Sequence, residues 1–171
     1  LFNSAAELES WVNDPVFDAG PGGKVILQQY IKAPAPFITR VEIVGDRLLF
    51  AMRSDTSNGF ELCPSDACQL EQPKAPEVCP ADGPTSKFSA SPITADDPLV
   101  QSYIAMCAAE GIDVAGIEFI EDVDGNRYTY DINGTTNYSG VFGKDIGIDG
   151  MREFAVYLRD SLSSDICTVN E

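Results

Sequence analysis

Glu118, Asp131 and Asn133 are the residues of this sequence best suited to carry chemistry. They sit in two runs of alternating polar and apolar residues from Gly116 to Asn133, separated by Asp124-Gly125, a dipeptide favoured in two-residue hairpin turns. With those two residues as the turn, Glu118 directly opposes Asp131. Asn133, Thr129 and Arg127 then share their face, while Ile117, Phe119, Tyr128, Tyr130 and Ile132 point to the core. Directly opposed positions bring Cβ atoms to ~4.5–5.5 Å, where like charges repel, so something should compensate the pair. Two carboxylates and an amide are hard oxygen donors of the kind magnesium takes while it keeps waters and bridges phosphates. Two solvated acids on an open hairpin face are equally compatible with the pattern.

Other constellations say less. Asp122, Asp124 and Asn126 match the first ligands of a calcium-binding EF-hand loop, but Arg127 stands where that loop needs Gly and Asn133 where it needs Glu. A secreted calcium-binding domain would also give the sequons at Asn133 and Asn137 a meaning. The absence of His removes Ser-His and Cys-His nucleophilic pairs and leaves carboxylates or Lys as possible bases. Cys63, Cys68 and Cys79 fall together in a Pro-rich stretch, yet a closed zinc site wants four N or S ligands, so free thiols or one disulfide are expected there without stoichiometric metal.

The elements that must position these residues follow from pattern. Ser4-Ala5-Ala6-Glu7 has the form of a capping box, and Leu8, Trp11 and Val12 continue a short helix that Asp14-Pro15 stops. Val25 to Ile31 is short and β-branched and reads as a buried strand. Thr39–Val44 and Arg47–Met52 flank Gly45-Asp46 and read as a hairpin. One of its faces carries Arg40, Glu42, Arg47 and Arg53; the other carries Val41, Ile43, Leu48, Phe50 and Met52. Residues 54–95 read as one long loop, of a length that is commonly functional. Asp97-Pro98 starts a helix with Leu99, Val100, Tyr103, Ile104 and Cys107 as its apolar stripe and Gly111 as its stop. A last helix runs from about Asp149 to Leu162 with Met151, Phe154, Ala155, Leu158 and Leu162 on one face. Hairpins alternating with helices predict an α+β class, an antiparallel sheet flanked by helices.

Composition mainly excludes. The 171 residues fit one domain or one large part of a bigger fold, and 27 acids against 11 bases give a formal charge of -16, which argues against a nucleic-acid partner. No apolar run approaches the ~20 residues of a membrane span and no leader pattern is present, so no membrane partner and a cytoplasmic location are expected. Oligomeric state is not legible.

With these residues in place, the stretch resembles the metal-binding hairpin of the ATP-grasp superfamily, where an acid on one strand and acid-x-Asn on the next hold the magnesium ions of ATP. The resemblance implies Glu118, Asp131 and Asn133 as the metal ligands, with ATP and Mg2+ as cofactors. Gly134-Thr135-Thr136-Asn137-Tyr138 looks like the loop that passes under the substrate site in the glutamate-ligase-like branch. Val25–Ile31 resembles the strand and hinge at adenine, which implies Gln29, Tyr30 and Ile31 against the base. Thr39–Asp46 resembles the hairpin whose Arg approaches phosphate or acyl phosphate, here Arg40. Ala51-Met52-Arg53, with Asn58 and Phe60, resembles the segment entering the acceptor site. Arg40 and Arg53 would be the catalytic arginines, and Asn58, Asn137 and Tyr138 would lie near the acceptor. The chain 1–171 is thus expected to be the C-terminal, nucleotide- and metal-binding part of an ATP-dependent carboxylate-amine ligase, joining small-molecule or peptide carboxylates and amines through an acyl phosphate. The family's glycine-rich loop and gripping lysines have no match here, so the isolated chain is expected to be inactive, a fragment of a longer one. A non-catalytic module of the same shape that binds a protein partner is the alternative.

Overall fold

The computed structural model describes residues 1–57, 88–135 and 146–168. Asn58, Phe60, Cys63, Cys68, Cys79, Asn137 and Tyr138 lie outside these. The chain divides into two compact units, Leu1–Lys32 and Ala33–Glu171.

In the first unit, α1 (Ala5–Val12) forms where the capping pattern predicts it. The Ser4 hydroxyl accepts from the Glu7 amide at 3.2 Å, and the Glu7 carboxylate accepts from the Asn3 amide at 2.7 Å. Trp11 packs edge-on against Phe17 at 4.5 Å between ring centroids. The expected strand at Val25–Ile31 is not formed. The segment has no ladder partner among the described residues, and Ile26 and Leu27 are 85% and 61% exposed, so β-branched composition alone does not make a strand.

The second unit is built on a five-stranded antiparallel sheet. Its strands are β1 (Phe37–Val44), β2 (Arg47–Asp55), β3 (Phe88–Ala90), β4 (Val114–Glu121) and β5 (Arg127–Asn133), in the order β3-β2-β1-β4-β5. β1 is central, which is why it is buried almost throughout. β3 lies within the stretch read as loop; three residues carry too little alternation to be seen, and pairing with β2 makes the strand. α2 (Pro98–Glu110) follows its local signals. Asp97 caps the Leu99 amide at 2.9 Å, and Gly111 closes the helix at φ 66°. Val100, Tyr103 and Cys107 of α2 pack on Val41, Ile43, Ala51, Ala115, Ile117 and Phe119. Burying each of the larger of these stabilises the fold by ~1.5–3 kcal/mol relative to leaving it exposed.

α3 (Gly150–Thr168) is longer than expected and turns a different side to the protein. Tyr157 covers Gly45, where a Cβ would lie 2.8 Å from the ring, and Glu153 pairs with Arg47 at 2.8 Å. Met151, Leu158 and Leu162 of the expected apolar face are instead 52%, 45% and 64% exposed. Helical periodicity marks an apolar stripe without saying what it meets.

Both hairpins carry a β-bulge, and each bulge moves side chains across the sheet. Ile43 pairs with Leu48 but Glu42 pairs with Phe50, so Leu49 is an extra residue in β2. Beyond it, Arg40 faces Met52 and Thr39 faces Arg53. Arg53 therefore lies on the opposite face from Arg40, which corrects the shared face expected for the two arginines. Likewise Glu118 pairs with Asp131 while Phe119 pairs with Thr129, leaving Tyr130 extra. Thr129 and Arg127, on the turn side of that bulge and shifted by a turn longer than two residues, face the α2 side, where Thr129 bonds the Tyr103 hydroxyl and Arg127 lies 5.4 Å over the Phe119 ring. Tyr130, expected in the core, joins the Glu118 side.

Candidate functional site

The β4–β5 turn spans Asp122–Asn126 rather than Asp124-Gly125 alone. Gly125 donates its amide to the Asp122 carbonyl at 3.2 Å with φ 81°, and the Asp122 carboxylate accepts from the amides of Asp124 and Asn126, from the Asn126 side chain and from the Tyr128 hydroxyl. These bonds, the Asn126 side chain first, hold the Asp122 carboxyl below its ordinary value. They account for the Asp122-x-Asp124-x-Asn126 spacing as turn chemistry. The longer turn and the bulge offset each other by one residue, so Glu118 still stands directly opposite Asp131, and Asn133 opposite Gly116.

The Glu118 half of the acidic pair is held within the protein. Arg40, opposite Glu118 on β1, donates from Nη1 to Glu118 Oε1 at 2.9 Å and from Nε to Glu42 Oε1 at 2.6 Å. Tyr130 donates its hydroxyl to Glu118 Oε2 at 2.8 Å. Arg40, Glu42 and Glu118 are 4%, 3% and 2% exposed, whereas Asp131 and Asn133 are exposed. Two buried carboxylates thus share one guanidinium, and Glu42 Oε2 is buried without a hydrogen-bond partner.

Electrostatics follow from that imbalance. Burial pushes the Glu42 carboxyl up, and the nearby Glu118 adds to the shift, while Arg40 opposes it. Burial works against the Arg40 charge too, but Glu42 and Glu118 overcome it and hold its pKa above the ordinary value. The Tyr130 phenol is pushed well up by burial and by the Glu118 charge it bonds, so it remains a donor. Sequence reasoning placed Arg40 and Glu42 together on one polar hairpin face but missed that they are buried with Glu118 in this cluster. Gly116, an isolated glycine inside a strand pattern, was the available signal of a close approach.

The donor set fits a hard divalent cation. At full ionisation the buried cluster carries excess negative charge, Asp131 adds another directly across from Glu118, and all donors are oxygens. Asn133 Oδ1 accepts from the Thr135 amide at 2.8 Å and keeps a second lone pair. Among the described residues no group of three or more His, Cys, Asp or Glu could hold a metal alone. Phosphate or water oxygens would have to complete the shell, as magnesium commonly requires.

Arg53 stands apart from this cluster. Its guanidinium lies 4.4 Å over the Phe37 ring, and its Nε is buried without a hydrogen-bond partner. Gln29, Tyr30 and Ile31 belong to the first unit. No helix among the described residues is long and apolar enough to cross a membrane.

No family model matches the chain, and no curated protein does. Among solved structures, the ATP-grasp ligase PsnB in complex with a phosphomimetic variant of its minimal precursor, Mg and ADP is similar, with 14% identity over 78% of this chain and 34% of that one, at a TM-score of 0.50. PsnB with its minimal precursor aligns at 15% identity over 80% and 36% of the two chains with a TM-score of 0.48. The macrocyclase MdnC bound with precursor peptide MdnA, from Microcystis aeruginosa MRC, aligns at 14% over 61% and 27% with a TM-score of 0.37. The first likeness shows a shared α+β fold; the other two fall below the level that carries weight. The chain spans about a third of the length of the PsnB chain it matches.

Proposed function

We propose that this chain is the C-terminal, Mg-ATP-binding part of an ATP-dependent carboxylate-amine ligase of the glutamate-ligase-like branch, acting within a longer cytoplasmic protein. The observation that carries the proposal is the excess of negative charge that Glu42, Glu118 and Asp131 keep over their one cation, Arg40, on a sheet of ATP-grasp-like fold. Glu118, Asp131 and Asn133 would hold Mg2+, which when bound neutralises charge on the nucleotide phosphates. Arg40 would donate to the transferring phosphoryl group, and the Glu118 carboxylate, held by Arg40 and Tyr130, would stay oriented without reorganisation. Gln29, Tyr30 and Ile31 would contact adenine, and Arg53, Asn58, Asn137 and Tyr138 the acceptor; these assignments rest on the sequence resemblance. Substrates would be a small-molecule or peptide carboxylate and an amine.

Acyl-phosphate chemistry can be tested directly on the intact protein. Incubation with Mg-ATP, a panel of amino acids and short peptides, and hydroxylamine should yield a hydroxamate with matching ADP release. Mg-ATP binding without hydroxamate from any donor would favour a non-catalytic module, and absence of nucleotide binding would end the proposal.

A further inference from the structure

Gly116 occupies a strand interior, where glycine weakens pairing and commonly marks a place that another group approaches closely. The approaching group is Arg40. A Cβ on Gly116 would lie 2.0 Å from Arg40 Nη2, 2.5 Å from Cζ and 2.9 Å from Nε, so the guanidinium lies over the Gly116 backbone. Glu42, the register partner of Gly116, accepts from Nε, and Glu118 accepts from Nη1. A guanidinium is a rigid plane, so fixing two of its nitrogens fixes the third. That third nitrogen, Nη2, has no hydrogen-bond partner among the described residues, yet it is not one of the buried side-chain atoms left unpaired, which are Glu42 Oε2 and Arg53 Nε. Arg40 as a whole is 4% exposed, so Nη2 is the one guanidinium nitrogen that its buried ion pairs leave to meet a further acceptor.

We propose that Gly116 and Glu42 are positioning residues that aim Arg40 Nη2 at a γ-phosphate oxygen of ATP, Gly116 by lacking a Cβ and Glu42 by gripping Nε. A donor fixed before the ligand arrives costs no reorganisation when charge must be met. This rests on the Mg-ATP assignment made above and adds to it the two residues that set the direction of the arginine.

The test is titration of the intact protein with ATP and with ADP, each with Mg2+, in the parent, Gly116→Ala, Arg40→Lys and the double variant, after circular dichroism has verified folding. The parent should prefer ATP. Gly116→Ala should weaken ATP about tenfold and leave ADP within about twofold, because the added Cβ displaces a flexible side-chain end rather than the strand. Lys places no guanidinium over Gly116, so in the Arg40→Lys background the added Cβ should cost nothing further. Glu42→Gln, which still offers Nε an acceptor, should keep the ATP preference that Glu42→Ala loses; this pair decides the matter should Gly116→Ala fail to fold. An unchanged ATP preference in Gly116→Ala, or an equal loss in both Arg40 backgrounds, overturns the positioning role while leaving nucleotide binding intact. A parent that binds neither nucleotide overturns the Mg-ATP assignment, and the positioning role with it.

Discussion

Replacing Arg40 by Met probes the buried cluster most severely. Met fills comparable space but leaves Glu42 and Glu118, 3% and 2% exposed, without the cation they share. Removing one partner of a buried ion pair typically costs ~3–5 kcal/mol, because the remaining charge is left uncompensated. For a protein of this size, ~2–4 °C in Tm accompanies each kcal/mol, which gives a fall of roughly 6–20 °C. Denaturant unfolding followed by circular dichroism, with the thermal melt alongside, measures both. The loss should shrink toward acid pH, where the stranded carboxylates take up protons, and Arg40→Met/Glu42→Gln/Glu118→Gln should recover most of it. A destabilisation below about 1 kcal/mol at neutral pH would show that the carboxylates are not buried against one another, and would refute the charge balance assigned to the site.

Glu42→Gln should flatten the pH dependence of stability. The folded-state pKa of Glu42 is raised, so its contribution is present at low pH and is lost as pH climbs from the ordinary carboxylate value through the raised one. Unfolding free energies from about pH 4 to about pH 8 should therefore move in favour of the Gln variant; a parallel pair of profiles would contradict the shift. Asp97→Ala removes both the cap on the Leu99 amide and the partner of Arg127, and should cost ~1–2 kcal/mol by denaturant unfolding, whereas a change within about 0.3 kcal/mol would show the cap to be idle.

What was legible in the sequence was whatever local chemistry decides. α1 and α2 appear where Ser4, Asp97, Pro98 and Gly111 place them, because caps and stops act within one turn. The two hairpins were visible for the same reason, but their faces were not. The Leu49 bulge inverts the parity of every β2 residue beyond it, while the longer β4–β5 turn shifts Arg127 to Thr129 by one until the Tyr130 bulge restores the register. That is why Arg53 was expected beside Arg40 and Tyr130 in the core. Glu118 and Asp131 were matched correctly although the turn was misread, since the longer turn and the bulge offset each other. The Arg40 cluster was hidden because it depends on β1 lying beside β4, a pairing between residues far apart in the chain. Val25–Ile31 failed for the converse reason, a strand-like composition with no ladder beside it among the described residues.

Binding of Mg-ATP to the parent and to Asp131→Asn, measured by calorimetric titration of the intact protein, tests the proposed metal site most directly. Asp131 is exposed, so the substitution should leave the fold as stable as before or slightly more so, with one of two opposed charges gone. If Asp131 is a magnesium ligand, affinity for Mg-ATP should fall by about tenfold or more, while ATP without Mg2+ binds both proteins alike. Equal Mg-ATP affinity in parent and variant would remove the metal from the β4–β5 hairpin.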